Sequence, residues 1–285
     1  MNFEIIRIAA VLLGTGAAAW QDHKTSFIDD RIVYAMIGLG LILDVLTFDQ
    51  NFILYSVAIA AGIFAFGYLL YRTGQLGGGD VLLFAGIQLL LPYYPQAAAS
   101  LGFAPQPYLF IPFLLSVLAA SSFYALLGTA VQFGLQLAKK KLKPDLLSAA
   151  AAAVLLAAML YVANVAGGGL LVNALFLSMM IPGAFLLVFK KQITEELIVR
   201  KIRISQIEDE DVLATEQMPA KILEKYGLGR VLTKKEVEKL KKIEKHEKIH
   251  LFPVYKNLPR FGPYILAALI TCLILGDPFI YIVLH

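Results

Sequence analysis

Long apolar runs separated by short polar loops occupy the first two thirds of the chain, and a charged, irregular stretch precedes one last apolar run. Crossing about 30 Å of hydrocarbon takes about 20 apolar residues, slightly fewer with polar flanks. Eight runs qualify, at approximately 3–20, 31–48, 52–71, 80–98, 108–137, 146–166, 169–189 and 261–284. The pattern predicts an all-α, polytopic membrane bundle of about eight transmembrane helices. Pro112 in the long fifth run predicts tilt or a kink near its start. Gly62 and Gly67 in the third run, and Ala149 to Ala153 in the sixth, predict close helix packing.

Residues 190–260 break the pattern. Charge is dense there and long apolar runs are absent, which predicts a small cytoplasmic α or α/β insert, packed against the membrane part rather than standing alone. The chain thus divides into 1–189, a core of seven spans, the insert 190–260, and 261–285, the final span. Within the insert, Thr233-Lys234-Lys235-Glu236 matches a capping box, and Val237, Leu240 and Ile243 continue at helical spacing. Tyr226-Gly227-Leu228-Gly229 reads as a turn. Pro259, Gly262 and Pro263 set how the last span enters the bilayer.

Composition agrees: 59% hydrophobic and 16% charged residues, with a mean hydropathy of +0.71, exclude a soluble globular domain of this size. The first run lacks a cationic leading region and reads as a retained span rather than a cleaved signal. Lys and Arg accumulate on the cytoplasmic side of short loops. With the N-terminus outside, Lys24, Arg31, Arg72, Lys139, Lys140, Lys141, Lys143 and the seventeen basic residues of 190–260 all fall inside, leaving Arg7 near the outer end. Cys272 is the single cysteine, which excludes an internal disulfide and a cysteine zinc cluster.

A carboxylate entering lipid costs roughly 2.5–3.5 kcal/mol on insertion scales, so each one near a span needs a reason. Asp44 lies roughly 20 Å beyond Arg31 along a helix, near the outer face, and Asp49 and Asp277 also lie on that side. Asp277-Pro278 reads as a turn. Asp29 and Asp30 are explained as N-caps of the second span. Asp22 sits at the end of the first span, where the helix dipole disfavours it, and Asp80 follows Gly77-Gly78-Gly79 at the mouth of the fourth. Both fall on the cytoplasmic side. Two adjacent aspartates share a proton, one acting as base on a water and the other as acid toward a carbonyl, which is peptide hydrolysis without metal, serine or thiol. The glycines allow close approach of a substrate backbone. The competing reading is a flexible linker with Asp80 as N-cap; Gly167-Gly168-Gly169 is a comparable linker with no acid after it.

Other constellations carry less. His246 and His250 lie at i, i+4 without a third ligand, and the Gly77 stretch lacks the Lys-Ser/Thr of a phosphate loop. The Lys-rich 234–248 run alternates with Glu and fits a solvated helix rather than a nucleic-acid surface. No cofactor or metal is expected.

Gly77, Gly79 and Asp80 form a GxGD motif. Asp22, Lys24, Ile28 and Asp30 form an aspartate loop in which Asp29 stands where a proline is usual, and Phe261-Gly262-Pro263 opens the last span. Together these resemble the type IV prepilin peptidases and preflagellin (pre-archaellin) peptidases, membrane aspartyl proteases, over residues 1–130 and 255–275. The resemblance implies that Asp22 and Asp80 are the catalytic pair, with Lys24, Gly77, Gly78 and Gly79 lining the substrate. It also implies that prepilin-like or pre-archaellin precursors lose a short basic leader at the cytoplasmic face of the cell membrane. The paired CxxC region of bacterial members is missing, so no methyltransferase activity is expected, and the insert looks like archaeal-type members. Such leaders are basic, so the run Glu208-Asp209-Glu210-Asp211 is expected to steer them toward the site.

Two readings compete. Presenilin- or signal-peptide-peptidase-like intramembrane proteases share GxGD, but they use a Tyr-Asp pair and a Pro-Ala-Leu motif; Asp22 follows Gln21, and Pro-Ala-Leu does not occur. A cation-coupled transporter binding its ion at Asp80 between broken helices is the reading from another class; no paired repeat is evident.

Overall fold

A computed structural model of the chain describes residues 3–100, 112–144, 146–165, 170–208, 211–256 and 258–279. Helix α1 (Glu4–Thr25) turns into α2 (Asp30–Val45), then α3 (Gln50–Arg72), α4 (Gly78–Leu90) and the short α5 (Gln96–Ser100). Asp29 caps α2 by accepting from the Arg31 N–H at 2.9 Å, and Asp49 caps α3 through Asn51 and Phe52. Helices α6 (Phe113–Lys140), α7 (Leu146–Val165) and α8 (Leu170–Val188) follow, then α9 (Lys190–Gln192) and a π-helical turn, Ile193–Ile198. Among the described residues, α3 and α6 are long and apolar enough to cross a membrane. The pair 173–188 and 190–198, bent by 65°, makes a third if counted as one span.

Two apolar runs are cut shorter than hydropathy suggests. The run 80–98 is broken after Leu90, because Pro92 has no N–H to continue the ladder; α4 is left with 13 residues. The run 108–137 begins as a helix only at Phe113, with Pro112 standing before it as N-cap, so the expected kink has no proline inside the helix to cause it. Its first residues, and Gly167-Gly168-Gly169, lie outside the described residues.

Helix α4 is the hub, packing against α1, α2, α3 and α6, and α12 (Gly262–Leu275) packs against α1 and α6. Val11, Leu83, Ile87, Leu114, Ile265 and Leu269 are fully buried between them. Glycines let the backbones approach: a Cβ on Gly67 would lie 2.6 Å from Val81, and one on Gly40 would lie 2.7 Å from the Leu89 Cβ. Gly62, by contrast, meets nothing within 4 Å. Of the alanine run on α7, Ala152 alone is buried. Leu54, Phe66, Leu69, Leu147, Val154 and Tyr161 lie exposed on α3 and α7, an apolar exterior suited to lipid.

At one end of the four-helix core, Arg7 of α1 pairs with Asp44 of α2 at 2.8 Å, both buried. Ser56 of α3 donates to the same carboxylate at 2.6 Å, and Arg7 donates to the Leu89 and Leu90 carbonyls that end α4. This fixes the helices as alternately up and down, so the opposite end gathers the end of α1, the start of α2, the end of α3 and the start of α4.

The insert contains a three-stranded antiparallel sheet of order β1 (Val199–Ile202), β3 (Phe252–Tyr255), β2 (Val212–Leu213), so of the two forms expected for it, α or α/β, it takes the one with strands, while the rest of the described chain is helical. Its core of Leu213, Leu232, Leu240, Ile243, Phe252 and Val254 is covered by α10 (Ala220–Tyr226) and α11 (Lys234–Glu247). Thr233 is the N-cap of α11, yet its side chain makes no capping bond. Glu236 instead accepts from the Gly229 N–H at 2.9 Å, so the capping box does not form. Helix α11 ends at Glu247, which leaves His250 off the helix and beside Glu244 rather than sharing a face with His246. Ile193, Leu197 and Ile198 seat this unit on Phe133 and Leu137 of α6. Val212 of β2 presses on Gly74, between α3 and α4, where φ is +70°.

Removing one partner of a buried ion pair leaves an uncompensated charge. Asp44→Ala is therefore expected to destabilise the fold by about 3–5 kcal/mol. The double variant Arg7→Met/Asp44→Leu should recover most of that loss, as read by thermal unfolding in detergent.

Candidate active site

Asp22 lies in the last turn of α1, which ends at Thr25 with Ser26 as a left-handed C-cap, φ 57°. Its carboxylate is 8% exposed and accepts from the Gly262 N–H at 2.8 Å. Gly262 is the first residue of α12, so the carboxylate occupies the N-terminal end of that helix, where the dipole favours an anion. The unfavourable position on α1 is thereby compensated by a helix 240 positions away in sequence. A Cβ on Gly262 would fall 3.0 Å from Asp22 Oδ2 and 3.2 Å from the Ala19 Cα, which is why glycine stands there. Burial pushes the Asp22 carboxyl above the usual carboxylate range, while the Gly262 N–H and the charges of Arg260 and His23 pull it back.

Asp80 occupies the third position of α4. Gly77 is the N-cap, and its N–H donates to the Asp80 carboxylate, half of a capping box with no side chain on the cap itself. Asp80 is thus not the N-cap. The glycines have intramolecular reasons. A Cβ on Gly77 would lie 2.9 Å from Asp80 Oδ2, and one on Gly79 would lie 2.9 Å from the Ile28 Cβ. Ile28, buried in the loop after Asp22, thereby seats the start of α4 against the end of α1. The charge of Asp22 reaches Asp80: together with burial it pushes the Asp80 carboxyl up, while the Gly77 N–H pulls it back.

The remaining candidates fall around this pair. Lys24 is exposed, its ammonium 3.9 Å from the centre of the Trp20 ring. Asp29 caps α2 and donates its backbone N–H to the Gln21 Oε1 at 2.8 Å, which closes the Asp22 loop. Asp277 accepts from Ser116 at 2.6 Å and from the Phe279 N–H at 2.9 Å, the turn expected of Asp-Pro. Of the acidic run, Glu208 and Asp211 each sit 2.8 Å from the Lys256 ammonium; Asp209 and Glu210 lie outside the described residues. Two of the four acids thus already hold a cation.

Sequence reasoning missed Arg260. Its guanidinium donates to the His23 carbonyl and, at 3.2 Å, to Ser26 Oγ. Nothing in the local pattern signals this contact across the chain. The one available hint was a cation between Pro259 and the Phe261-Gly262-Pro263 entry.

Residues 9–129, the part of the chain that holds both aspartates and the three glycines, match the model of the type IV leader peptidase family. The prepilin peptidase EppA of Methanothermobacter thermautotrophicus is 36% identical over 100 residues, 34% of this chain and 26% of that protein. The match therefore spans about a quarter of the length of that curated relative. No solved structure matches.

Gly262→Ala pushes a methyl group onto Asp22 and is expected to destabilise the fold by about 1–3 kcal/mol. Gly16→Ala, inside the same α1 with nothing within 4 Å, should instead hold or slightly raise the unfolding temperature, since alanine is the better helix former.

Proposed function

We propose that the chain is a membrane aspartyl endopeptidase that removes the short basic leader from type IV prepilin-like or pre-archaellin precursors, with Asp22 and Asp80 as its catalytic pair. The observation that carries this reading is that two carboxylates are brought to the same end of the bundle, Asp22 in the last turn of α1 and Asp80 in the first turn of α4, with the charge of Asp22 felt at Asp80. The family match over residues 9–129 supports it.

Two neighbouring carboxyls favour a state with one proton between them. The ionised one takes a proton from water as the oxygen adds to the scissile carbonyl carbon. The protonated one gives its proton to the carbonyl oxygen. Collapse of the tetrahedral diol breaks the C–N bond, with a proton passing to the departing amine and a carboxyl left on the leader. No metal, thiol or serine takes part.

Eight membrane passes, with both termini outside, set this pair at the cytoplasmic face of the cell membrane. The division into core 1–189, insert 190–260 and final span 261–285 follows from the same topology. Lys24, exposed at the rim of the Asp22 loop, and the backbone of Gly77-Gly78-Gly79 line the approach of the precursor.

The test is cleavage of a leader-bearing prepilin-like precursor in membranes. Asp22→Asn and Asp80→Asn should each lower the rate by at least about a thousandfold, since catalytic pairs act as a unit. Asp49→Asn, at a cap where Asn serves as well, should cut like the wild type. Cutting by either catalytic variant, or none by the wild type, overturns the assignment. A shared proton also requires a bell-shaped pH dependence of kcat/KM; a rate that only rises or only falls across the titration range contradicts it.

A further inference from the structure

We propose that Arg260 is the positioning residue of the pair: by capping the end of α1 it keeps the negative charge on Asp22, making Asp22 the base and leaving the proton on Asp80. The inference rests on the peptidase reading and assigns the two roles which that reading leaves open.

The geometry is a clasp. Chain leaving β3 at Tyr255 reaches Arg260 just before α12, and Pro259 and Pro263 restrict the backbone on either side. The guanidinium reaches back to the His23 carbonyl and to Ser26 Oγ. The His23 carbonyl is one of the last four of α1, which have no acceptor role inside the helix. A cation there is favoured by the dipole as well. Two residues on, the Gly262 N–H meets the Asp22 carboxylate. One short segment therefore grips the last turn of α1 from two sides, through its backbone and through its catalytic side chain.

The same placement is asymmetric in charge. The chargeable groups on the segments that bound the pair are His23 and Lys24 at the end of α1, Asp29, Asp30 and Arg31 at the start of α2, and Arg260 just before α12. Arg260 and His23 act on Asp22, whereas Asp80 feels the Asp22 carboxylate and the Gly77 N–H. A guanidinium keeps its charge at every pH at which the pair could work, so the field of Arg260 on Asp22 does not vary across that range. The segment that supplies Arg260 is continuous with β3, so the sheet of the insert is tied to the aspartate whose ionisation starts the reaction.

Removing the cation makes ionisation of Asp22 harder. The acid limb of kcat/KM should move up by about 0.5 pH unit in Arg260→Gln, a shift kept small because Arg260 is exposed. The fall should be in kcat more than in KM. Arg260→Lys keeps the charge and should hold the limb at the wild-type position while losing the two-point grip, so kcat still drops about tenfold. Raising salt should carry the wild-type limb toward that of Arg260→Gln. An Arg260→Gln limb coincident with wild type, or an Arg260→Lys limb displaced as far as that of Gln, overturns the assignment. Where Arg260→Gln fails to accumulate, the wild-type limb alone decides, and its insensitivity to salt has the same meaning. Absence of cleavage by wild type, or cleavage by Asp22→Asn, instead defeats the peptidase reading itself.

Discussion

The arrangement around the two aspartates depends on close backbone approach at two glycines. Gly79 lets the start of α4 sit on Ile28, and Gly262 lets the start of α12 sit on Asp22 and Ala19, at separations where a methyl group does not fit. A carboxylate 8% exposed requires donors close at hand, because a buried charge without them is costly. The first residue of α12 supplies one only because no side chain intervenes. From these two contacts follow the meeting of α1, α4 and α12, the shared end of the bundle, and the placement of Asp80 within the field of Asp22.

The charged unit beyond α8 is tied into that end at more than one place. It rests on Phe133 and Leu137 of α6, Val212 presses on Gly74 in the turn that leads to Asp80, and the exit from β3 carries Arg260 to the end of α1. Val212 and Tyr255 are paired across β2 and β3. The contacts to the two aspartate-bearing turns therefore originate in neighbouring strands, and a displacement of the sheet is felt at both.

Apolar run length and the sidedness of Lys and Arg pointed to Asp22 and Asp80, because those rules ask which carboxylates lie at the same end without an explanation of their own. The helix cap at Asp29 was legible because its side chain acts locally, whereas that at Asp49 was not read from the pattern. The cap pattern failed where a longer-range donor competed: Glu236 bonds to Gly229 rather than closing the Thr233 box. Counting apolar residues over 80–98 overlooked the stop that Pro92 imposes. The strands of the insert, four residues or two, are too short to show a period. The partners of Asp22, Gly262 and Arg260, lie nearly the full chain away from it, and no pattern within a window reaches that far.

Arg7 and Asp44, paired at 2.8 Å at the far end from the aspartates, bear on how the protein is made. Each alone opposes transfer of its own helix into lipid by roughly 2.5–3.5 kcal/mol, and the partner that relieves it arrives on the next segment to be synthesised. In the eight-pass topology proposed above, insertion of the first helix is completed by the second, the two entering as a hairpin whose polar contacts are aligned to receive Ser56 and the last carbonyls of α4.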